Sequence, residues 1–485
     1  MVYTGSILQK EFQNNSYLII NLLFAFFPIS LIVGSFVVNL NLLLFCCLGI
    51  YYLRSKIFKA KFDLSIKIIF LFFLVILFST SLSFIKNFYF DGFSYDTFER
   101  LLKSILFFRF FLMLIVIHLL YRFEILNFKY FFIIAALSST ILSVDIIFQY
   151  IFGFDMIGLK GDFLDNHGFF GDEHIAGGYL QRFAFFAIFF NIFFFKNMKY
   201  ARFISTTILI CILTAGIFFS GNRMPLILFL FGLMLIFFFK IEIKRVLLTS
   251  FTLSLIIFQI AILSNEKYMF YLYNSFHSFK ESVKSIASVT APEKMFWKWT
   301  GRGKIPLKSG KVEGGDDIRT KTYFMNVEYV TPHKRLFMTA IETWKLNKIF
   351  GNGIKSFRVD CWKLEKQKDV YLGEDLMPGK KNLLCSNHPH NYYLEILTET
   401  GIVGLFVTFF LAALLIVFIL KNYKHISNIS ADHLILLSAL ISIVLETLPI
   451  RSTGSLFTTN NFTYLVLICS ILTSYKKILK INNYK

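Results

Sequence analysis

The residues best equipped for chemistry crowd into one stretch, NHPHNYYLEILTETGIVG, residues 387 to 404. It holds His388, His390, Asn391, Tyr392, Tyr393, Glu395 and Glu399, and it runs directly into GLFVTFFLAALLIVFIL, a segment suited to lipid. A neutral imidazole whose ordinary pKa is near 6.5 can take a proton at physiological pH, so His390 is a candidate general base. The two histidines do not project side by side from a helix, and no spacing matches a zinc motif, so no metal site is read here. Three arginines fall near the ends of apolar runs. They are Arg182 in GGYLQRFAFFAIFF, Arg223 in SGNRMPLILFLFG and Arg451 in TLPIRSTGSLF. A guanidinium presents a planar fork of donors that fits two phosphate oxygens at once. Each arginine has a plainer reading as an interfacial anchor, with its charge reaching the headgroups.

What must position these groups is a membrane. The chain has 485 residues, 56% of them hydrophobic, with 63 Phe. A spanning helix needs about 20 apolar residues. Runs that meet this need recur near 17–34, 36–53, 66–85, 103–121, 128–151, 178–196, 202–220, 223–239, 246–264, 402–421, 432–448 and 461–479. They are continuous and not alternating, which predicts helices and excludes a barrel. The fold class is therefore an all-α polytopic membrane protein of about twelve transmembrane helices. No small-residue cleavage site follows the first run, which is read as a retained helix. The Phe excess is read as filler facing lipid, not as a ligand stripe.

Lys and Arg in short loops set orientation. Arg54, Lys56, Lys59 and Lys61, then Arg122 and Lys129, then Lys196, Lys199 and Arg202, then Lys240, Lys244 and Arg245, then Lys421 and Lys424 all fall on one side if the helix count holds. That side is cytoplasmic, and so are both termini. The net charge of +20 is in part this topology signal. The basic residues are scattered over loops, which argues against nucleic acid. The outer side carries two long connections, near 152–177 and 265–401. The organisation is thus transmembrane helices over 1–264, a large periplasmic loop over 265–401 with partly helical structure, and the last three helices with a tail over 402–485. Within the loop, 330–353 reads as a helix closed by Gly351 and Gly353, and 299–321 is rich in Gly and Lys. Cys46, Cys47, Cys211 and Cys469 lie in helices as small hydrophobes. Cys361 and Cys385 lie in the outer loop, where they either pair or stay as thiols.

Asp172, Glu173 and His174 form a second outer cluster, read first as a solvated loop capping the next helix. Arg109, His118, Asp145 and Gln149 are read as polar groups of the bundle interior. The chain has no nucleotide-binding glycine loop and no GxSxG elbow. Its polar groups gather on the side opposite cytosolic nucleotide sugars. A donor already activated and lipid-linked, such as a polyprenyl diphosphate sugar, fits that placement.

The 387–404 stretch resembles the signature of the O-antigen ligase and O-antigen polymerase superfamily of bacterial envelope glycosyltransferases. That signature is a His, then Asn, Ser or Gln, then nine residues, a Gly, two residues and a small or aromatic position. Here His390 and Asn391 are followed by nine residues, Gly401, and then Gly404. Many relatives carry a basic residue, usually Arg, two before the His; here that place is His388. SGNRMPL resembles the family's Ser/Thr-Gly-x-Arg turn and aligns Arg223 with a diphosphate-contacting arginine. Arg182 is a looser match, by its position near the top of the sixth helix. The resemblance implies a glycosyltransferase-C-like fold in the bacterial inner membrane and a metal-independent, inverting reaction at the periplasmic face, with no cofactor. A glycan would pass from undecaprenyl diphosphate to lipid A-core in a ligase, or to another lipid-linked repeat unit in a polymerase. It implies His390 as base, Arg223, Arg182 and His388 on the diphosphate, and Arg451, Asn391 and Tyr392 as further contacts. A protein-glycosylating oligosaccharyltransferase is a third relative with the same outer-side chemistry. A lipid-linked oligosaccharide flippase or transporter is the alternative outside the class; it would show an internal repeat and charges deep in several helices.

Overall fold

The structure is a computed structural model. It describes residues 17–161, 165–171, 173–236, 243–263, 305–306, 324–325, 332–373, 377, 380–426, 430–449 and 451–475. The stretch 299–321, apart from 305–306, and Asp172 lie outside the described residues, as do the lysines of the C-terminal tail.

Among the described residues, every apolar run expected to form a helix is helical over most of its length. In chain order the helices are α1 Leu18–Ala25, α2 Phe27–Val33, α3 Ser35–Leu53, α4 Leu64–Asp91, α5 Tyr95–Leu106, α6 Phe108–Arg122, α7 Phe128–Phe152, α8 Ala176–Phe194, α9 Lys199–Phe219, α10 Arg223–Ile236 and α11 Lys244–Leu263. Then follow α12 Pro332–Trp344, α13 Phe357–Asp360, α14 Tyr392–Ile426, α15 Ala431–Glu446 and α16 Thr459–Ser474. Among the described residues, seven helical spans are long and apolar enough to cross a bilayer by length and composition. The protein is an all-α polytopic membrane protein, and its only described sheets are two-stranded scraps.

The expected span 103–121 is divided at Phe107 between α5 and α6, and three other spans differ from expectation for local reasons. The first run divides at Phe26, because Pro28 sits in the first turn of α2, where a missing N–H costs least. The helix expected at 402–421 begins at Tyr392 and bends at Gly401, whose φ of 68° is left-handed. The polar stretch is therefore the first turns of that helix, not a loop in front of it. The helix expected over 330–353 ends at Trp344, and the chain then turns through Gly351 and Gly353 at φ 73° and 89°.

Helix α8 is the centre of the bundle, packed against α7, α9, α10 and α15. Phe183, Phe185, Phe186 and Phe189 on it are fully buried. Much of the Phe excess thus fills the interior: Phe24 stacks near Phe131 at 5.2 Å and Phe107 near Phe462 at 4.3 Å. Other Phe face outward as expected, such as Phe36 and Phe406. Where α7 and α9 touch, Gly216 lies so close to Ser143 that a Cβ would meet its Cα at 2.9 Å. Small residues at such crossings let backbones approach in a membrane.

The described outer-loop residues form a small layer over the end of the bundle. Cys361 and Cys385 are joined as a disulfide with Cα atoms 5.8 Å apart. It packs with Ala340 and Phe357 against Leu394 of α14. Strands β3 Val370–Leu372 and β4 Lys381–Leu383 pair in parallel, and the guanidinium of Arg335 donates to the carbonyls of Gly373 and Leu383. β1 Ile305–Pro306 pairs antiparallel with β2 Phe324–Met325.

Candidate active site

The kink at Gly401 builds one wall. Left-handed backbone there interrupts the helical ladder, and residues 347–353 fill the gap. Ile402 and Val403 N–H groups donate to the carbonyls of Lys348 and Ile349 at 3.0 and 3.2 Å. Asn352 and Gly353 N–H groups donate to Thr398 and Glu399 at 3.0 and 2.8 Å. The outer layer is thereby locked to the first turns of α14. Asn391 starts those turns: its Oδ1 accepts from the N–H groups of Tyr393 and Leu394 at 3.0 and 3.2 Å. This is the helix N-cap arrangement. Its Nδ2 donates to the Pro449 carbonyl at 2.7 Å, tying α14 to the turn after α15.

His390 sits just outside that cap at φ 54°, a conformation costly for a residue with a Cβ. Its carbonyl accepts from Thr453 N–H at 2.9 Å. Its ring lies 4.2 Å from that of His388 and edge-on to His333, at 5.9 Å. Burial first, then the neighbouring His388 and His333, lower its pKa to about 4. Burial also lowers His388 and His333. At neutral pH the three rings are uncharged, so His390 is free to accept a proton. The buried Nε2 of His388 has no hydrogen-bond partner among the described residues.

A few residues on, an ion cluster spans four helices. Arg182 of α8 donates from Nε and Nη2 to the two oxygens of Glu446 at 3.1 and 2.6 Å. Arg451 donates from Nη1 to Glu446 Oε2 at 2.6 Å. The Tyr392 hydroxyl donates to Glu446 Oε1 at 2.8 Å. Arg182 Nη2 also reaches Asn461 Oδ1 of α16 at 2.8 Å and the Tyr392 oxygen at 3.4 Å. The guanidinium of Arg182 lies 4.7 Å over the Tyr464 ring. Glu395 supports the same turn, accepting from Ser455 Oγ at 2.5 Å and Leu456 N–H at 2.7 Å. Glu399 accepts from Lys355 N–H at 2.6 Å. Both glutamates hold loop segments to the first turns of α14.

The structure thus brings Arg182, Arg451 and Tyr392 together, with His390, His388 and Asn391 on the adjoining chain. Arg223 stands apart from Glu446 as the exposed first residue of α10. Its neighbour Asn222 accepts from Gly177 N–H at 3.1 Å and so fixes this corner to the start of α8. Asp145 and Gln149 shape the connection between α7 and α8, by accepting from Met156 N–H and from Gly168 N–H, each at 2.8 Å. The ring of His174 meets that of His167 edge-on at 4.2 Å.

Sequence reasoning missed Glu446 and His333. Glu446 had a signal, as a lone acid closing an apolar run five residues before Arg451; a charge in such a place usually has a partner. His333 had none, because only folding brings α12 over the 388–390 segment.

A helical membrane protein whose polar side chains gather at one end of the bundle is the class these features define. Residues 207–409 match the model of the O-antigen ligase family, a stretch that runs from α9 to the lipid-facing part of α14 and includes Arg223, His388, His390 and Asn391. Over that stretch the chain is similar to the O-antigen ligase family, which supports a function of the O-antigen ligase or polymerase type. No curated protein matches the sequence.

Proposed function

We propose that the protein is a ligase-type glycosyltransferase that moves a glycan from undecaprenyl diphosphate to lipid A-core at the periplasmic face of the bacterial inner membrane. One observation carries the reading. His390 lies two residues before Tyr392, whose hydroxyl shares Glu446 with Arg182 and Arg451. The chain that carries the proton acceptor thus leads directly into the residue bonded to the guanidinium pair, which supports a shared site.

The chemistry follows from what the reaction needs. The acceptor hydroxyl oxygen attacks the anomeric carbon, and the bond from that carbon to the diphosphate oxygen breaks. The configuration inverts in this single displacement. The hydroxyl proton passes to His390, and the electron pair leaves with the undecaprenyl diphosphate. Charge growing on the diphosphate is met by the preorganised guanidiniums of Arg182 and Arg451, with Arg223 approaching from the exposed start of α10 and His388 at the rim. Diphosphate is a good leaving group, so the base matters more than an acid. The low pKa of His390 keeps it unprotonated but weakly basic. A docked diphosphate anion nearby raises its basicity at the moment it is needed.

Reconstituted vesicles supplied with a lipid-linked glycan and lipid A-core test this. The His390→Ala variant is expected to lose product while binding donor as the wild type does; normal turnover by that variant removes the base assignment. A polymerase would use the same residues with a second lipid-linked repeat as acceptor. Product that appears with the repeat unit alone, and not with lipid A-core, selects that reading.

A further inference from the structure

The buried carboxylate of Glu446 lies outside the matched segment, and the chemistry above gives it no step. Its surroundings assign it one. The side chain is 0% exposed, and four donors converge on its two oxygens: Arg182 Nε and Nη2, Arg451 Nη1 and the Tyr392 hydroxyl. A carboxylate has about four lone-pair sites. All are taken, so it has none left for substrate and cannot serve as a base.

The cluster is unbalanced in charge. Two guanidiniums face one carboxylate, which leaves one positive charge in a buried setting. Such a surplus is costly unless something negative approaches. Donors also remain unused. Arg451 is 6% exposed, and its buried Nε has no hydrogen-bond partner among the described residues; the same holds for Nε2 of fully buried Gln181. Gln181 Oε1 lies 3.4 Å from Arg451 Nη1, so these unused donors share one corner. Arg182 uses Nε and Nη2 in its described bonds and keeps part of its side chain, 13%, open.

We propose that Glu446 is the positioning residue of the diphosphate site: it holds Arg182 and Arg451 side by side, against their mutual repulsion, so that their remaining N–H groups point at one anion. This rests on the donor reading above and adds the residue that makes two separate cations into one receptor. Arg182 comes from α8 and Arg451 from the turn after α15. Without the shared carboxylate, like charge would drive them apart. Tyr392 is the fourth strut, and it couples the receptor to the His390 segment.

The test turns on the sign of an effect. Removing a negative charge beside an anion site should tighten anion binding if Glu446 only offsets charge. It should weaken binding if Glu446 positions the arginines. Full-length protein in nanodiscs is titrated with farnesyl diphosphate, a soluble prenyl diphosphate, and assayed for glycan transfer. For Glu446→Gln the expected result is an affinity loss of about tenfold or more. The KM for the donor should rise with it, while that for the acceptor holds. Unchanged or tighter binding by folded Glu446→Gln overturns the proposal. Should that variant fail to fold, Tyr392→Phe decides, since it removes one strut and no charge. It is expected to weaken the probe about threefold, and wild-type affinity overturns the proposal. Wild-type protein that itself ignores farnesyl diphosphate refutes the donor reading as well, and so is told apart from a failure confined to Glu446.

Discussion

Gly401→Ala is the sharpest test of how the site is built. Residue 401 has φ 68°, where an L side chain costs about 1–2 kcal/mol. The larger effect is contact. A Cβ there would run into the Ile349 carbonyl and stand 2.6 Å from Gly351 N. These are backbone atoms, so no rotamer change makes room. Relief needs the 347–353 segment to retreat by roughly 1 Å, which takes bonds now at 3.0 and 3.2 Å out of range. Loss of the Ile402 and Val403 bonds adds about 1 kcal/mol each. The sum is about 3–4 kcal/mol, large for one methyl group. Scanning fluorimetry of purified protein in detergent measures it against Gly178→Ala, whose Cβ meets nothing within 4 Å. A clear fall in midpoint is expected for the first variant and little change for the second. Equal midpoints for Gly401→Ala and wild type would refute the interlocked-glycine account.

Three further outcomes follow from the same geometry. Arg182→Lys keeps the charge but cannot fork onto both oxygens of Glu446, and it leaves Asn461 short of a donor; a stability loss of about 2–3 kcal/mol is expected in thermal melts, with a raised donor KM. For pH, the folded pKa of His390 is about 4 and its unfolded value is near 6.5. The unfolded chain therefore binds the proton first, and stability declines as pH drops from 6.5 toward 4. The acidic limb of kcat/KM should lie well below 6.5, and that of kcat higher once anionic donor is bound; a kcat/KM limb at 6.5 would contradict the burial of His390. Replacing both Cys361 and Cys385 by Ser opens a cross-link with a sequence separation of 24, worth roughly 3 kcal/mol, and should raise hydrogen exchange in α13 and near residue 385 while α8 stays protected.

What was legible in the sequence is what local physics encodes. Apolar run length marks helices because a bilayer leaves backbone groups no other partner, and the described residues of these runs are mostly helical. The role of Gly401 inside a helix was not legible, since its reason lies in a segment from elsewhere in the chain. The pairing of Cys361 with Cys385 was left open, because separation along the chain carries no distance in space. The candidate residues Arg182, Arg451 and Tyr392 were named one by one, but the carboxylate they share, Glu446, was not. Arg182 and Glu446 lie 264 positions apart, and no pattern of period two or 3.6 connects them. A lone buried acid announces a partner without saying which.

The bend at Gly401 also explains how so polar a segment can adjoin lipid. Above it, the first turns of α14 carry Tyr392, Glu395 and Glu399 inward, each 5% exposed or less. Below it, the helix presents Phe406 and Phe409 outward at 71% and 54%. A straight helix would prolong one stripe along its length and turn the wrong groups toward the hydrocarbon at one end. Breaking the ladder at a glycine exposes carbonyl and N–H groups that a bilayer cannot satisfy, and the 347–353 segment supplies their partners. The outer layer is therefore a condition of the bend, and the bend is a condition of the site. A substitution that loosens residues 347–353 is expected to disturb His390 and the arginine pair before it disturbs the bundle, because α8 draws its packing from four other helices.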